Sequence, residues 1–354
     1  MAKKTFTLSA NIENGIAEGL NYIVTPNVQK VLHEIINGYQ TGIHSYSIIG
    51  TYGTGKSSFL LQLEHDLVES HKRNLLKNPK VLYNGKFEIL NILGDFKSLE
   101  ELLRDRLQEA TDSTETNALV LLKSYYSKLK KQGKFLLIAI DEFGKVLEHA
   151  AKINPEEELY FMQKLCEVVN ATTRNILLLT TLHQNFSAYS RKLTTEQKNE
   201  WIKVKGRFQE VVFAEPVEQL LFLAAEHIST EFKYKICDKH FHKIHQLAID
   251  RKFVSADFSF DTACKLYPMD TFAAYAVTRA IQRYGQNERS LFTFLNANGA
   301  HSLASFMPKP NKTYNLAEVY DYVVNSFHSY LTDANSDSTG WSAIRLSIER
   351  VEGG

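Results

Sequence analysis

The chain has 354 residues and a mass of 40.4 kDa, enough for a real core without a disulfide or metal staple. Hydrophobic residues make up 44% and charged residues 23%, and 41 Lys plus Arg against 40 Asp plus Glu leave a net charge of +1. These values exclude a collagen-like or disordered chain and argue against a constitutive nucleic-acid coat, while leaving room for a local basic patch. No apolar run approaches the roughly 18–20 residues of a membrane-spanning helix, so no membrane partner is expected. The opening MAKKTFTLSANIENG has no apolar segment of the signal-peptide kind. Cys166, Cys237 and Cys264 are few and scattered, which fits buried thiols in a reducing cytoplasm. At about 150 residues per domain the length allows two or three domains, or one large domain with an appendage.

In chain order, residues 1–19 read as a polar N-terminal tail. Ser45–Ile49 is a short β-rich run that ends at Gly50. Lys56–His71 carries Phe59, Leu60, Leu63 and Leu67 at helical spacing. Phe87–Ile92 is the next strand, followed by amphipathic helices over Ser98–Ala110 and Asn117–Lys131. Lys134–Ile140 is continuously apolar, as a strand buried on both faces should be. Pro155 opens a helix that Glu156–Asn170 continues, with acidic residues in its first turn. Asn175–Thr181 is another buried strand, and Val211–Phe213 a shorter one. Ser187–Lys205 reads as a charged helical insertion. Beyond Phe213 strand signals stop, and Pro216–Ser229, Lys239–Asp250 and Asp270–Tyr284 read as helices. Alternating strands and helices predict a three-layer α/β core with a parallel sheet over 20–214, then a helical lid domain over 215–308 and a helical extension over 309–354.

Gly50-Thr51-Tyr52-Gly53-Thr54-Gly55-Lys56-Ser57 fits G-x-x-x-x-G-K-[ST] at every fixed position, with a strand before it and a helix after it. Glycines let the backbone turn its N–H groups toward phosphates, and the helix N-terminus adds partial positive charge. Lys56 would set an ammonium against the β- and γ-phosphates, and Ser57, followed by Ser58, would offer a hydroxyl to Mg²⁺. The strand that ends Ile140-Asp141-Glu142 carries two carboxylates to the edge of a parallel sheet, where ligands sit. Asp141 would hold Mg²⁺ and Glu142 would polarise an attacking water.

With these two motifs the sequence resembles an AAA+ ATPase of the ASCE type, which implies strand order 5-1-4-3-2 and ATP with Mg²⁺ as cofactors. Residues 203–228, KVKGRFQEVVFAEPVEQLLFLAAEHI, resemble the origin-recognition-type initiator branch and its signalling and defence relatives. There Arg207 matches the arginine that reaches the nucleotide of a neighbouring subunit, implying a homo-oligomer with a contact in trans. Residues 283–295, RYGQNERSLFTFL, resemble the sensor-2 segment, with Asn287 capping a helix and Arg289 as the sensor; Arg283 competes for that role. Sensor 1 falls at Thr180-Thr181-Leu182-His183-Gln184-Asn185, where the branch commonly has Asn. Thr181 is the choice, with His183 or Gln184 as alternatives. Tyr22-Ile23-Val24-Thr25-Pro26 falls where such ATPases wrap the adenine, so Val24 and Pro26 are assigned to the base.

The resemblance implies an assembly-gated ATPase that senses or remodels a protein partner, in the style of ATPases from prokaryotic antiviral-defence or mobile-element loci. Two other readings stand beside it: a nucleotide-switched scaffold that recruits an effector, and a DNA-binding initiator or transposition-type ATPase. Cys237, His240, His242 and His245 have spacing that touches on zinc binding, but no second ligand pair completes a site. About 20 residues before the core and 45 after the lid core hold no separate effector domain, so action through another protein, or through a part of the chain outside this sequence, is expected.

Overall fold

The computed structural model describes residues 12, 22–51, 53–69, 73–231, 239–284, 291–296, 299–306, 312–332 and 337–352. Tyr22–Pro26 leads into α1 (Pro26–Gln40). The Thr25 hydroxyl caps it by accepting the Val28 N–H, and Pro26 sits in the first turn, where its missing N–H costs nothing. There follow β1 (Ser45–Ile49), α2 (Lys56–Val68), β2 (Lys86–Leu93), α3 (Leu99–Thr111), α4 (Ala118–Lys131), β3 (Lys134–Asp141), α5 (Phe143–Lys152), α6 (Pro155–Val169), β4 (Ile176–Leu182), α7 (Thr195–Lys205) and β5 (Gln209–Val212). The chain divides into two compact units between Ala214 and Glu215.

The five strands form one sheet in the order β2-β3-β4-β1-β5, and every neighbouring pair is parallel. Counted from the β5 edge this is 5-1-4-3-2. Strand alternation sorts the apolar residues to two faces. Leu136, Ile138 and Ile140 of β3 join a core with α3, α4, α5 and α6, while Phe135, Leu137 and Ala139 join a second core with α1 and α2. The result is a three-layer α/β architecture, and the sheet is covered because it is apolar on both sides.

The Tyr22–Pro26 segment, assigned above to the adenine and equally readable as the start of a core helix, opens α1, while the ten-residue α5, which starts directly after the strand it follows, has no counterpart among the expected elements. The insertion before β5 is not one helix. A short 3₁₀ turn over Phe186–Ser190 precedes α7, which a capping box between Thr194 and Gln197 starts afresh. Trp201, fully buried, donates its indole N–H to Phe186 O at 2.9 Å and so ties α7 to that turn.

The second unit contains α8 (Val217–Glu231), α9 (Lys239–Asp250), α10 (Phe260–Lys265), α11 (Thr271–Tyr284), α12 (Leu291–Asn296), α13 (Leu316–Thr332) and α14 (Ser338–Glu352). Its core joins Leu221 and Ala225 of α8 and Ala273 and Val277 of α11 to Tyr314, Val323 and Phe327 beyond residue 308. Cys166 is a free buried thiol, and Cys237 lies outside the described residues. No helix among the described residues is long and apolar enough to cross a membrane.

One buried acid stands out in the first unit. Glu64 of α2 accepts from the Asn91 amide at 2.9 Å, while its other oxygen and the Asn91 carbonyl have no partner among the described residues. Burial pushes the Glu64 carboxyl up to about 7; the Asn91 hydrogen bond opposes this and the Asp141 charge adds to it. Between the ordinary value of 4.5 and about 7 the folded carboxyl keeps a proton that the unfolded one has lost. Stability therefore falls as pH rises through that window, by about 3 kcal/mol at most. Glu64→Gln should flatten this fall and raise the melting temperature at pH 8 by several degrees. Melting curves at pH 5 and pH 8 that differ as much as those of the parent would rule out Glu64 as the titrating group.

Candidate functional site

The C-terminal ends of β1, β3 and β4 meet at one end of the sheet. The Gly50 N–H continues the ladder by donating to Leu182 O at 2.9 Å. A Cβ on Gly50 would stand 2.2 Å from Phe213 O, so no side chain fits there. Gly53 and Gly55 have φ of +72° and +90°, the left-handed region that favours glycine. Gly55 is the N-cap of α2 and supplies no side-chain acceptor, and the first turn carries no acid. Its N–H groups are therefore left for an anion.

Lys56 folds back over the loop, its ammonium donating to Gly50 O at 2.6 Å and Thr51 O at 2.9 Å. Thr54 closes the loop from the other side, donating to Thr51 O at 2.8 Å. Tyr52 lies outside the described residues. Burial pushes the Lys56 ammonium down to about 8, against the pull of Asp141 and then Glu142. The hydroxyl of Ser57 makes no side-chain hydrogen bond among the described residues.

Thr181, buried on β4, joins the acidic residues to the sheet. Its hydroxyl donates to Asp141 Oδ1 at 2.5 Å and accepts the Glu142 N–H at 3.0 Å. Asp141 is buried, yet its Oδ2 has no hydrogen-bond partner among the described residues. A free carboxylate oxygen and a free Ser57 hydroxyl at the same end as the loop fit the donor set of a hydrated Mg²⁺. Glu142 adopts φ +54° at the strand–helix junction and pairs with Lys145 Nζ at 2.5 Å. Gly94 backs this junction, donating its N–H to Asp141 O at 2.7 Å. A Cβ on Gly94 would stand 2.5 Å from Glu142 O.

His183 lies beyond the end of β4. Tyr189 Oη is 3.2 Å from its Nδ1, and both pack on Gly144, where a Cβ would meet Tyr189 Oη at 2.3 Å. Burial, aided by Lys56, holds the His183 imidazole below its ordinary value, against Glu148 and Glu142. Gln184 and Asn185 follow, and Asn185 caps the 3₁₀ turn by accepting the Ala188 N–H.

The structure thus gathers Gly50 to Ser57, Asp141, Glu142 and Thr181 at one sheet end. Arg207 is not among them. It precedes β5 at the strand-start end and pairs with Glu167 of α6 at 3.3 Å. Val24 packs on the core between α1 and α2, and Pro26 lines a groove along α1 with Tyr46 and Gln209. Arg283, the alternative sensor in the second unit, makes a two-pronged pair with Asp337 just ahead of α14. Arg289 and Asn287 lie outside the described residues. Sequence reasoning missed Lys145 and Gly94. The i,i+3 spacing of Glu142 and Lys145 was a visible signal, whereas the backbone approach at Gly94 has no signature in a single sequence.

No family model and no curated protein matches the chain. Among solved structures it is similar to ORC2 of Aeropyrum pernix in its ADPNP–ADP complexes, at 14% identity over 96% of this chain and 88% of that one, with a TM-score of 0.43. It is similar to Cdc6p of Pyrobaculum aerophilum at 13% identity over 96% and 89%, with a TM-score of 0.40. It is also similar to PCH-2 of C. elegans at 14% identity over 86% and 66%, with a TM-score of 0.39. The first unit is a P-loop α/β core with the 5-1-4-3-2 order found in AAA+ ATPases; the strand pairing and loop geometry of this chain carry that assignment.

The depressed Lys56 value has a measurable consequence. Above about pH 8 the ligand-free ammonium loses its proton, and a phosphate ligand that needs the cation must restore it. Affinity for such a ligand should fall about tenfold between pH 7 and pH 9. Equal affinities across that range, measured with a fluorescent nucleotide, would place the Lys56 proton outside the binding step.

Proposed function

We propose that the chain binds Mg-ATP at the C-terminal end of the sheet and hydrolyses it. The observation that carries this reading is the convergence of the phosphate loop with the Thr181–Asp141–Glu142 cluster. Backbone N–H groups of Gly53, Thr54 and Gly55 and the Lys56 ammonium would hold phosphates. Ser57 and Asp141 would hold Mg²⁺, which supplies charge neutralisation on the β- and γ-phosphates when bound. Thr181 fixes the orientation of Asp141 and of the Glu142 backbone, leaving the Glu142 side chain to orient a water. Val24 and Pro26 are assigned to the adenine, and Arg289 to the phosphates from the helical unit.

Arg207 supports an assembly that works in trans. It stands before β5, and the phosphate loop follows β1 at the opposite end of neighbouring parallel strands. Its guanidinium suits the nucleotide of a second copy, which implies a head-to-tail arrangement. The Glu142–Lys145 pair favours slow turnover until assembly or a partner frees the carboxylate. That pair is also what supports a nucleotide-switched scaffold as the second reading. Sensing or remodelling of a partner, with antiviral defence as the setting, remains the biological role we assign.

Lys56→Ala should weaken ATP binding at least a hundredfold, and unchanged affinity would remove the phosphate assignment. Glu142→Gln should bind ATP normally and lose turnover; a steady-state rate equal to that of the parent would remove Glu142 from water activation. Neither single variant Arg207→Ala nor Glu142→Gln should turn over, but a mixture should regain activity through interfaces that pair an intact arginine with an intact glutamate. A mixture as inactive as its components at every ratio would argue against the contact in trans.

A further inference from the structure

Because all five strands run parallel, every segment that enters a strand lies at the end of the sheet opposite the phosphate loop. Across β3, from Lys134 to Asp141, that separation is about 23 Å. The charges of the segments that enter β2, β3 and β4 are one-sided. Residues 74–86, ahead of β2, carry Lys77, Lys80 and Lys86. Residues 128–134, from the end of α4 into β3, carry Lys128, Lys130, Lys131 and Lys134. Residues 170–175, ahead of β4, carry Arg174. None of the three segments contains Asp or Glu.

The three segments form one surface. Lys86 and Lys134 are register partners on adjacent strands. Lys130 Nζ reaches Thr173 O at 3.5 Å, and the Asn175 N–H donates to Tyr126 Oη at 2.7 Å. The nearby acids are mostly spoken for. Asp66 is buried and accepts N–H groups from Asn74, Leu75 and Leu76. Glu88 is paired with Lys134 at 2.8 Å, and Glu167 with Lys164 and Arg207; Glu69, at the end of α2, is the exposed exception. Lys77, Lys80, Lys86, Lys128 and Lys131 are exposed and form no ion pair among the described residues.

A chain of net charge +1 has thus gathered unpaired ammonium groups at one end of its sheet. Helix-dipole complementarity accounts for lysines in the last turn of α4, but not for Lys77, Lys80 or Lys86. Between the cations stand mostly small polar donors, Asn84, Ser127, Gln132, Thr172 and Thr173, and Val81 is the one exposed bulky apolar side chain of the three segments. A membrane surface would call for bulky apolar residues among the cations, and an acidic protein interface for an aromatic or apolar centre. Cations interspersed with hydroxyls and amides match the phosphate oxygens of a nucleic-acid backbone.

We propose that this strand-start end of the first unit docks the phosphate backbone of duplex DNA, at a surface separate from the nucleotide site. Two inter-strand spacings spread the cations over about 10 Å, close to the roughly 12 Å width of a major groove. Binding is read through phosphates alone and is independent of base sequence.

The test is fluorescence anisotropy of a labelled 30-base-pair duplex against the full chain at several salt concentrations. The parent should bind at 50 mM salt, with log affinity falling by about 0.9 per phosphate contact for each decade of salt. The combined variant Lys86→Gln, Lys128→Gln, Lys130→Gln and Lys131→Gln should lower affinity at least tenfold and reduce that slope by about 3 to 4. Arg at the same four positions should keep binding, which separates lost charge from lost folding. Lys56→Ala should bind the duplex like the parent, so this result stands or falls apart from the ATPase reading. The proposal is overturned by a parent that does not bind at 50 mM salt, or by a Gln variant with undiminished affinity and slope. Loss of duplex binding in Lys56→Ala, or tighter retention on phosphatidylserine vesicles or polyglutamate than on duplex, overturns it equally.

Discussion

Parallel pairing of β3, β4 and β1 fixes where the functional side chains of the first unit can stand. Each of these strands is buried on both faces, so a polar side chain within one needs a partner inside the sheet, and chemistry is confined to the strand ends. The register sets Thr181 against Ile48 and Thr180 against Ile140. From that register follow the nearness of the phosphate loop to the Asp141–Glu142 junction and the exclusion of Arg207 from it. The glycine-rich loop and the acidic pair share one end, and unpaired lysines collect at the other.

Much of this was legible in the sequence because the signals are local. Continuous apolar runs such as Lys134–Ile140 mark strands covered on both sides, and glycines with a lysine at fixed spacing mark the loop. The strand order was carried by resemblance, and the observed pairings bear it out. What was not legible depends on contacts between distant segments. The grip of Thr181 on Asp141 needs two strands in register. The close approach at Gly94 needs the β3–α5 turn to lie against it. The concentration of cations at one sheet end arises from segments up to about 90 residues apart, each of which alone reads as an ordinary solvated loop. Glu64 is a harder case, since a glutamate on the polar side of a helical pattern carries no sign that β2 will bury it.

The helical unit illustrates how tertiary pairing reassigns a residue. Arg283 ends α11 beside a polar stretch, which made it a candidate for a nucleotide. Its guanidinium instead grips Asp337, whose carboxylate also accepts from Tyr284 Oη at 3.0 Å. Trp341 of α14 in turn donates to the same phenol at 2.9 Å. Arg283 thus serves as a clasp for the last helix, a role set by a residue 54 positions away.

The two neighbouring threonines of β4 couple the strands on either side of it. Thr180 turns toward β1, where its hydroxyl reaches Tyr46 O at 3.1 Å and Ser47 Oγ at 3.0 Å. Thr181 turns the other way, to Asp141 and the Glu142 N–H. A single peptide unit therefore spans the strand that feeds the phosphate loop and the strand that ends in the acids. If β4 slid along its axis, both grips would be strained together. The end of β4 acts as a rigid yoke: strain arriving through the Phe186–Ser190 turn and α7 would be divided between loop and carboxylates instead of being absorbed by either.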